Sequence, residues 1–232
     1  MSEIMLFHGS QGEVQEPDFH FCNDYNDYGR GFYCTASEEL AMEWACKKDA
    51  NGLVNRYLLN DYGLNILNLT DDKYTVLNWI AILLKNRSFS LDSRIALEAK
   101  KYLIENFGID KDKYDLIIGY RADDSYFRFA ESFLQNTLPL RSLNKAMYLG
   151  KLGLQTALVS EKAFKQIRFI SSSPVDGGVW FARFKERDSE ARRAYREEIA
   201  TARSVKDDLF MIDIMREEIG NNDPRLQRNV LG

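Results

Sequence analysis

The chain has few of the residues that metal sites and disulfide scaffolds need. It contains two histidines and three cysteines in 232 residues, and no two of the cysteines form a CxxC pair. An odd number of scattered cysteines indicates reduced thiols in a cytosolic protein rather than a disulfide framework. His20 and Cys22 lie two positions apart, but no second pair completes a tetrahedral set of ligands. We therefore expect no metal site.

Long apolar runs and an excess of basic charge are also missing. No window of about 18 apolar residues is present, so the sequence predicts no transmembrane helix. No basic segment followed by an apolar run marks a secretory signal near Met1. The 31 basic and 35 acidic residues leave a net charge of −4, which gives no general attraction to nucleic acid. The net charge does not exclude a local basic patch. We expect a cytoplasmic protein with no membrane partner.

The apolar residues that are present are sufficient for a core. Hydrophobic residues make up 45% of the chain and aromatic residues 12%, which fits one sizeable domain, or one domain with an appendage. Short strands mix with helices without a regular βαβ alternation, so we predict an α+β fold. Strands are predicted at residues 4–7, 31–35, 53–59, 64–69, 114–120, 154–159 and 168–171. Helices are predicted from residue 37 and at 75–87, 93–107, 125–134, 142–148, 160–166, 181–203 and 209–219.

Three of these segments carry further expectations. The turn residues between strands 53–59 and 64–69 predict a β-hairpin, and the nearly unbroken apolar run 114–120 predicts a central strand. The polar residues 11–26 predict a long loop of the kind that binds ligands. Charge density rises after residue 176, so we divide the chain into a domain at 1–175 and a charged helical C-terminal extension at 176–232.

The richest local pattern is the run DYGRGFYCT at residues 27–35. Its glycines have no Cβ, so the backbone there can turn sharply or approach a ligand closely, and the strand that follows would hold Tyr33 in place. An earlier strand pattern, LFHGS, carries His8, and Trp44 stands eleven residues after Tyr33. One histidine and two large aromatic side chains suit a flat heteroaromatic ligand attached to a sugar.

These motifs resemble those of the ADP-ribosyltransferase superfamily, in its diphtheria-toxin and poly(ADP-ribose)-polymerase-like clade. That clade has His-Gly-Ser or His-Gly-Thr on its first strand, a Gly-aromatic-Tyr run on a later strand, and a Glu at the start of a late strand. His8-Gly9-Ser10 and Gly31-Phe32-Tyr33 match the first two, and Trp44 matches the second aromatic residue. The resemblance covers residues 4–171 and is closest to an uncharacterised bacterial branch.

The resemblance implies a split mixed or antiparallel sheet with a central NAD cleft and flanking helices. It implies mono-ADP-ribosyl transfer from NAD to a protein, nucleic acid or small-molecule acceptor, with release of nicotinamide, in a bacterial effector or toxin-like setting. An NAD glycohydrolase and an inactive module that binds NAD or ADP-ribose are the alternatives. The implied cofactor-binding residues are His8, Gly9, Ser10, Arg30, Gly31, Tyr33 and Trp44, and the implied catalytic residues are His8, Tyr33 and Gln155.

The implied roles follow ordinary chemistry. His8 would hydrogen-bond the ribose, and the backbone of Gly9 would hold the carboxamide. Tyr33 and Trp44 would stack on the two faces of the nicotinamide ring. Arg30 would contact the diphosphate, or else would be a solvated loop arginine.

The chain departs from the clade at its third motif, where Gln155 takes the place of the Glu. A glutamine can bond a ribose hydroxyl, but it cannot accept a proton or carry a negative charge. Glu161 lies six extended residues away, about 20 Å, and fits the first turn of a helix better. Asp123 and Asp124 are the best substitute carboxylates, although a helix cap is the alternative for both. Whether Gln155 or a carboxylate completes the site stays open.

Overall fold

The computed structural model describes residues 3–122, 124–149, 153–201 and 208–227. Strands β1 to β7 run over Glu3–Ser10, Phe32–Cys34, Gly52–Asn60, Ile66–Asn68, Leu116–Tyr120, Leu154–Leu158 and Ile167–Val175. Helices α1 to α9 run over Glu38–Ala45, Val76–Asn86, Arg94–Phe107, Asp124–Leu134, Leu140–Leu149, Glu161–Phe164, Gly177–Thr201, Met211–Arg216 and Pro224–Gln227.

The chain folds into two compact units. The first comprises Met1–Asn68, Lys111–Arg121 and Leu152–Arg187, and the second comprises Leu69–Asp110, Ala122–Lys151 and Asp188–Gly232. The strands belong to the first unit, and the second is built from helices. The predicted division into residues 1–175 and 176–232 stays a prediction.

The first unit contains two sheets. One is antiparallel with the order β1-β3-β7, and the other is mixed with the order β2-β6-β5-β4, in which β4 and β5 are parallel. The sheets meet where Phe7 and Thr35 exchange backbone hydrogen bonds of 2.8 and 2.9 Å. Sheets of this kind with several helices make the chain an α+β protein, as predicted.

The predicted hairpin between strands 53–59 and 64–69 is wrong. The chain does turn there, because the N–H of Leu64 donates to the carbonyl of Asp61 and Gly63 takes a φ of +71°. Strand β3, however, pairs with β1 on one edge and with β7 on the other, so it has no free edge for the next strand. Strand β4 therefore joins the other sheet, parallel to β5.

Predictions that depend on neighbouring residues, such as a strand or the end of a helix, are confirmed in three cases. Strand β5 lies between β6 and β4, so the prediction of a central strand is correct. Helix α1 is capped by Ser37, whose Oγ accepts from the N–H of Leu40. Helix α3 ends at Gly108, as predicted, but the φ of this glycine is −65°. The glycine is needed for space rather than for a positive φ, because a Cβ at this position would lie 2.2 Å from the carbonyl oxygen of Ile104.

Two apolar clusters form the core of the first unit. One fills the space beneath both sheets and comprises Leu6, Phe32, Cys34, Tyr57, Leu59, Leu116, Leu158 and Ala163. The other joins the β1-β3-β7 sheet to α1 and comprises Phe7, Ala41, Ala45, Cys46, Val54 and Val175, with Trp180 and Phe181 of α7 packed against it. In the second unit, α2 is buried on all sides from Val76 to Leu84, as expected of a helix that is apolar all round. No helix within the described ranges combines the length and apolarity that a membrane crossing needs.

Helix α1 lies directly against β1 because position 9 has no side chain. A Cβ on Gly9 would lie 2.0 Å from the carbonyl oxygen of Ala41 and 2.6 Å from the backbone nitrogen of Ala45. Both are backbone atoms of a helix, which cannot rotate away as a side chain would. Gly12, three residues on, has open space around its Cβ position.

We expect Gly9→Ala to destabilise the protein and Gly12→Ala to leave it unchanged or slightly more stable. Separating α1 from β1 costs about 1–3 kcal/mol or more, whereas an alanine in open space lowers the entropy of the unfolded chain, worth up to about 1 kcal/mol. Urea denaturation of the two variants measures both effects. Equal midpoints would contradict the close packing of α1 on β1.

Candidate functional site

His8 is held at the junction of the two sheets by a hydrogen bond to Tyr33. Its Nδ1 lies 2.7 Å from the carbonyl oxygen of Tyr33, 25 residues away, and its ring packs on Phe32 with centroids 4.4 Å apart. A carbonyl only accepts, so Nδ1 carries the hydrogen and Nε2 presents a lone pair. Burial lowers the pKa of His8, and the bond to the Tyr33 carbonyl opposes that shift in part. The imidazole is therefore neutral at pH 7 and offers a hydrogen-bond acceptor.

Tyr33 fastens the glycine-rich turn to the sheet through its hydroxyl. Its Oη accepts from the N–H of Tyr28 at 2.9 Å and donates to the carbonyl of Gly29 at 2.8 Å. The rings of Tyr28 and Tyr33 are nearly parallel, with centroids 6.3 Å apart. Gly29 takes a φ of +81°, which only glycine adopts readily. A Cβ on Gly31 would lie 2.6 Å from the carbonyl oxygen of Leu158, so this second glycine lets β2 lie against β6.

The strand register places Tyr33 and Gln155 on the same face of the mixed sheet. Tyr33 pairs with Ala157, and side chains alternate along a strand, so Gln155, two positions before Ala157, points to the same side. Phe32 and Cys34 point to the opposite side, into the core. The three segments that carry His8, Tyr33 and Gln155 thus adjoin one another as β1, β2 and β6.

Gln155 is buried and committed to two acceptors. Its Nε2 donates to Oδ2 of Asp27 at 2.9 Å and to the carbonyl oxygen of Tyr120 at 3.1 Å. Asp27 and Gln155 are only 4% and 3% exposed, so this is an interior contact between residues 128 positions apart. The hydroxyl of Tyr28 also donates to the Tyr120 carbonyl, at 2.7 Å.

Asp27 is the residue at this site that the sequence did not single out. It opens the glycine-rich run, but a lone aspartate among polar loop residues is indistinguishable from a solvated one. Only the folded chain brings it against Gln155. The signal available beforehand was its position directly before an aromatic residue and a glycine, in a segment already marked for close approach.

Trp44 lies on α1 beside a cation. The guanidinium carbon of Arg121 sits 4.6 Å from the centre of the indole ring, a cation–π contact. The indole Nε1 is buried and makes no hydrogen bond with any described residue. The predicted stacking of nicotinamide between Trp44 and Tyr33 stays a prediction.

The two polar candidates near the glycines are engaged within the chain. Arg30 makes a bidentate pair with Asp24, with Nε–Oδ1 and Nη2–Oδ2 distances of 2.6 and 2.9 Å, and this hydrogen bonding lowers the pKa of the exposed Asp24 carboxyl. Ser10 donates to the carbonyl of Gly12 at 2.6 Å and accepts from the amide of Asn55 at 2.9 Å. An incoming diphosphate would have to compete with Asp24 for Arg30.

The substitute carboxylates considered from the sequence have different positions. Glu161 lies in the first turn of α6, as predicted, 3.6 Å from His20 and at the far end of β6 from Gln155. Asp124 is the first residue of α4, and Asp123 lies outside the described residues. The described ranges contain no cluster of three His, Cys, Asp or Glu side chains that could hold a metal ion.

Residues 4–169 match the sequence profile of a protein family of unknown function, DUF3990. The chain belongs to the DUF3990 family. The matched segment begins in β1 and ends within β7, so this DUF3990 region carries His8, Asp27, Tyr33 and Gln155 together. No curated protein and no solved structure matches the chain.

We expect Tyr33→Phe to lower the free energy of unfolding by about 1–3 kcal/mol, because it leaves the N–H of Tyr28 and the carbonyl of Gly29 without the hydroxyl. The matched control is Tyr62→Phe, since Tyr62 is 72% exposed. Thermal unfolding of the two variants gives the comparison. A Tyr33→Phe protein as stable as the control would mean that the hydroxyl does not hold the turn.

The neutral state of His8 predicts a pH dependence of stability. Its pKa in the folded protein is below the ordinary 6.5, so the unfolded chain binds the proton more readily, and stability falls as the pH drops below 6.5 towards the folded value. His8→Asn keeps an N–H donor but cannot titrate. Denaturation midpoints between about pH 5 and 7 should fall more for the native protein than for this variant. Parallel profiles would contradict the assignment.

Proposed function

We propose that this protein is an NAD-dependent mono-ADP-ribosyltransferase, which cleaves the bond between nicotinamide and ribose and passes ADP-ribose to an acceptor. The observation that carries the proposal is the convergence of three separate motifs. His8, Tyr33 and Gln155 come from distant parts of the sequence and lie on adjoining strands, with the His8 imidazole bonded to the backbone of Tyr33 at 2.7 Å. Adjoining strands that carry these three residues are what we expect of an NAD site of the ADP-ribosyltransferase type, with Tyr33 and Gln155 on one face of the mixed sheet and the His8 ring against Phe32.

The sheet arrangement supports the same proposal. An antiparallel sheet and a mixed sheet share one junction, between Phe7 and Thr35, and we interpret this pair as the split sheet of an ADP-ribosyltransferase fold. NAD would occupy a cleft beside the junction.

The chemistry of His8 suits the ribose of NAD. A neutral imidazole with a bare Nε2 accepts a hydrogen bond from a sugar hydroxyl. It also adds no positive charge next to the pyridinium ring, which a protonated histidine would repel. The guanidinium of Arg121 lies over the Trp44 ring, so a nicotinamide pyridinium that stacks on Trp44 would have to take its place, because two cations repel each other.

The loop at residues 11–26 is the proposed acceptor-facing segment. It exposes Phe21 to 90% and Tyr25 to 73% of their surfaces, and two solvent-facing aromatic rings give an acceptor polypeptide, base or small ring a surface to stack on. The acceptor class is left to experiment.

A second candidate function is an NAD- or ADP-ribose-binding module without turnover. Gln155 favours it, because both hydrogens of its amide are directed at Asp27 and Tyr120 and its side chain carries no charge. An NAD glycohydrolase, in which water replaces the acceptor, uses the same site as the transferase and differs only in the product.

The test is incubation with NAD labelled on the adenosine side, alone and in cell lysate, while free nicotinamide is measured. We expect a labelled macromolecule, lost on His8→Ala because the ribose loses its hydrogen-bond acceptor. The matched control is His20→Ala, which removes the other histidine, an exposed residue paired with Glu161. Because His20 lies in the proposed acceptor-facing loop, this control is read by nicotinamide release, which should be kept.

The remaining outcomes separate the candidates. Nicotinamide released without a labelled macromolecule would make the protein a glycohydrolase. NAD binding without nicotinamide release would favour the binding module. A protein that neither binds nor cleaves NAD would contradict the proposal.

A further inference from the structure

Gln155 and Asp27 form a matched pair of amide and carboxylate. The amide nitrogen of Gln155 has two hydrogens, and these meet two acceptors, the Asp27 carboxylate and the Tyr120 carbonyl. A hydrogen bond to an ionised carboxylate is stronger than one between neutral groups. An ionised Asp27 carboxylate would therefore gain more from this contact than a neutral group would.

A glutamate at position 155 would not fit this arrangement. An ionised carboxylate there would face the Asp27 carboxylate and the Tyr120 carbonyl, which places three acceptors together unless one of the two acids keeps a proton. Two carboxylates at hydrogen-bond distance cannot both stay ionised. The aspartate on the loop therefore favours a glutamine, rather than a glutamate, at position 155 on the strand.

The residue next to Asp27 is bonded to two strands. The N–H of Tyr28 donates to the Tyr33 hydroxyl, and the hydroxyl of Tyr28 donates to the Tyr120 carbonyl. Tyr28, which follows Asp27, is thus bonded to β2 through its backbone N–H and to β5 through its hydroxyl. Asp27 is 4% exposed, and burying a carboxylate is costly unless hydrogen bonds compensate it.

The other buried carboxylate on this sheet is engaged elsewhere. Asp115 accepts from the Ser160 hydroxyl at 2.6 Å and from the Asn65 N–H at 2.8 Å. It precedes β5, whereas Gln155 pairs with Gly119 four residues further along, a separation of about 13 Å. Asp115 therefore fixes the start of β5 and does not reach the face that carries Tyr33.

We propose that Asp27 supplies the acidic group of the site, and that Gln155 is its positioning residue. The proposal rests on the proposed function. The bond between C1′ and the nicotinamide nitrogen breaks, its electron pair leaves with neutral nicotinamide, and the positive charge left on the ribose is stabilised by the Asp27 carboxylate. A lone pair of the acceptor then bonds to C1′, and the acceptor's proton passes to Asp27 and from there to water.

The experiment compares nicotinamide release, NAD affinity and thermal stability in three variants. Asp27→Asn removes the charge and keeps the size, and we expect kcat to fall at least about 100-fold while NAD affinity is kept. The exchange Asp27→Asn with Gln155→Glu restores one acid and one amide to the contact, and we expect at least about tenfold recovery over the single variant. Asp115→Asn is the control, which should lose stability and keep kcat.

The outcomes separate a failure of the inference about Asp27 from a failure of the proposed function. A folded Asp27→Asn protein with kcat within about threefold of the native value overturns the inference and leaves the proposed function standing. A folded exchange protein no more active than Asp27→Asn also overturns the inference. If Asp27→Asn does not fold, a folded exchange protein that releases no nicotinamide overturns it. Native protein that releases no nicotinamide overturns the proposed function and the inference with it.

Discussion

The junction between β1 and β2 is the constraint on which the first unit depends. Phe7 and Thr35 exchange two backbone hydrogen bonds there, and His8 adds a third to the Tyr33 carbonyl. Each such bond contributes only about 1 kcal/mol net, whereas burying a side chain such as Phe32 contributes about 1.5–3 kcal/mol. Apolar burial therefore drives the two sheets together, and the hydrogen bonds select the register. That register decides which side chains meet at the site.

The glycines of both motifs allow close backbone packing next to this junction, whether or not they also meet a ligand. Gly9 admits the backbone of α1, and Gly31 admits the carbonyl of Leu158. A sequence motif rich in glycine is compatible with ligand approach and with backbone packing alike, because both need the absence of a Cβ. The packing accounts for these two glycines without a ligand. The case for NAD therefore rests on His8, Tyr33 and Gln155 and on their positions on adjoining strands, although each of these side chains also makes contacts that hold the fold.

Signals that act within a few residues were predictable, and pairings across the chain were not. The serine caps of α1 and α6 follow from side chains that bond the adjacent helix. Strand β7 is longer than its apolar pattern, since its polar end, residues 171–174, is held by pairing with β3. The same pairing filled the second edge of β3 and excluded the predicted hairpin. The contact of Gln155 with Asp27 spans 128 residues and has no local signature.

When only the motifs are compared, Gln155 marks the place where an acidic residue is lacking. Its hydrogen bond to Asp27 shows that an acidic residue lies next to it, on the loop. Under the proposal, the amide and the acid have exchanged places between the strand and the loop. The glycine-rich turn then becomes part of the site, because the attachment of the turn decides where the acid lies. Tyr33 then has two tasks under the proposed function, since its ring faces the ligand while its hydroxyl holds the turn that carries Asp27. Under the proposal, such a site depends on the turn as closely as the usual site of the ADP-ribosyltransferase clade depends on its strand.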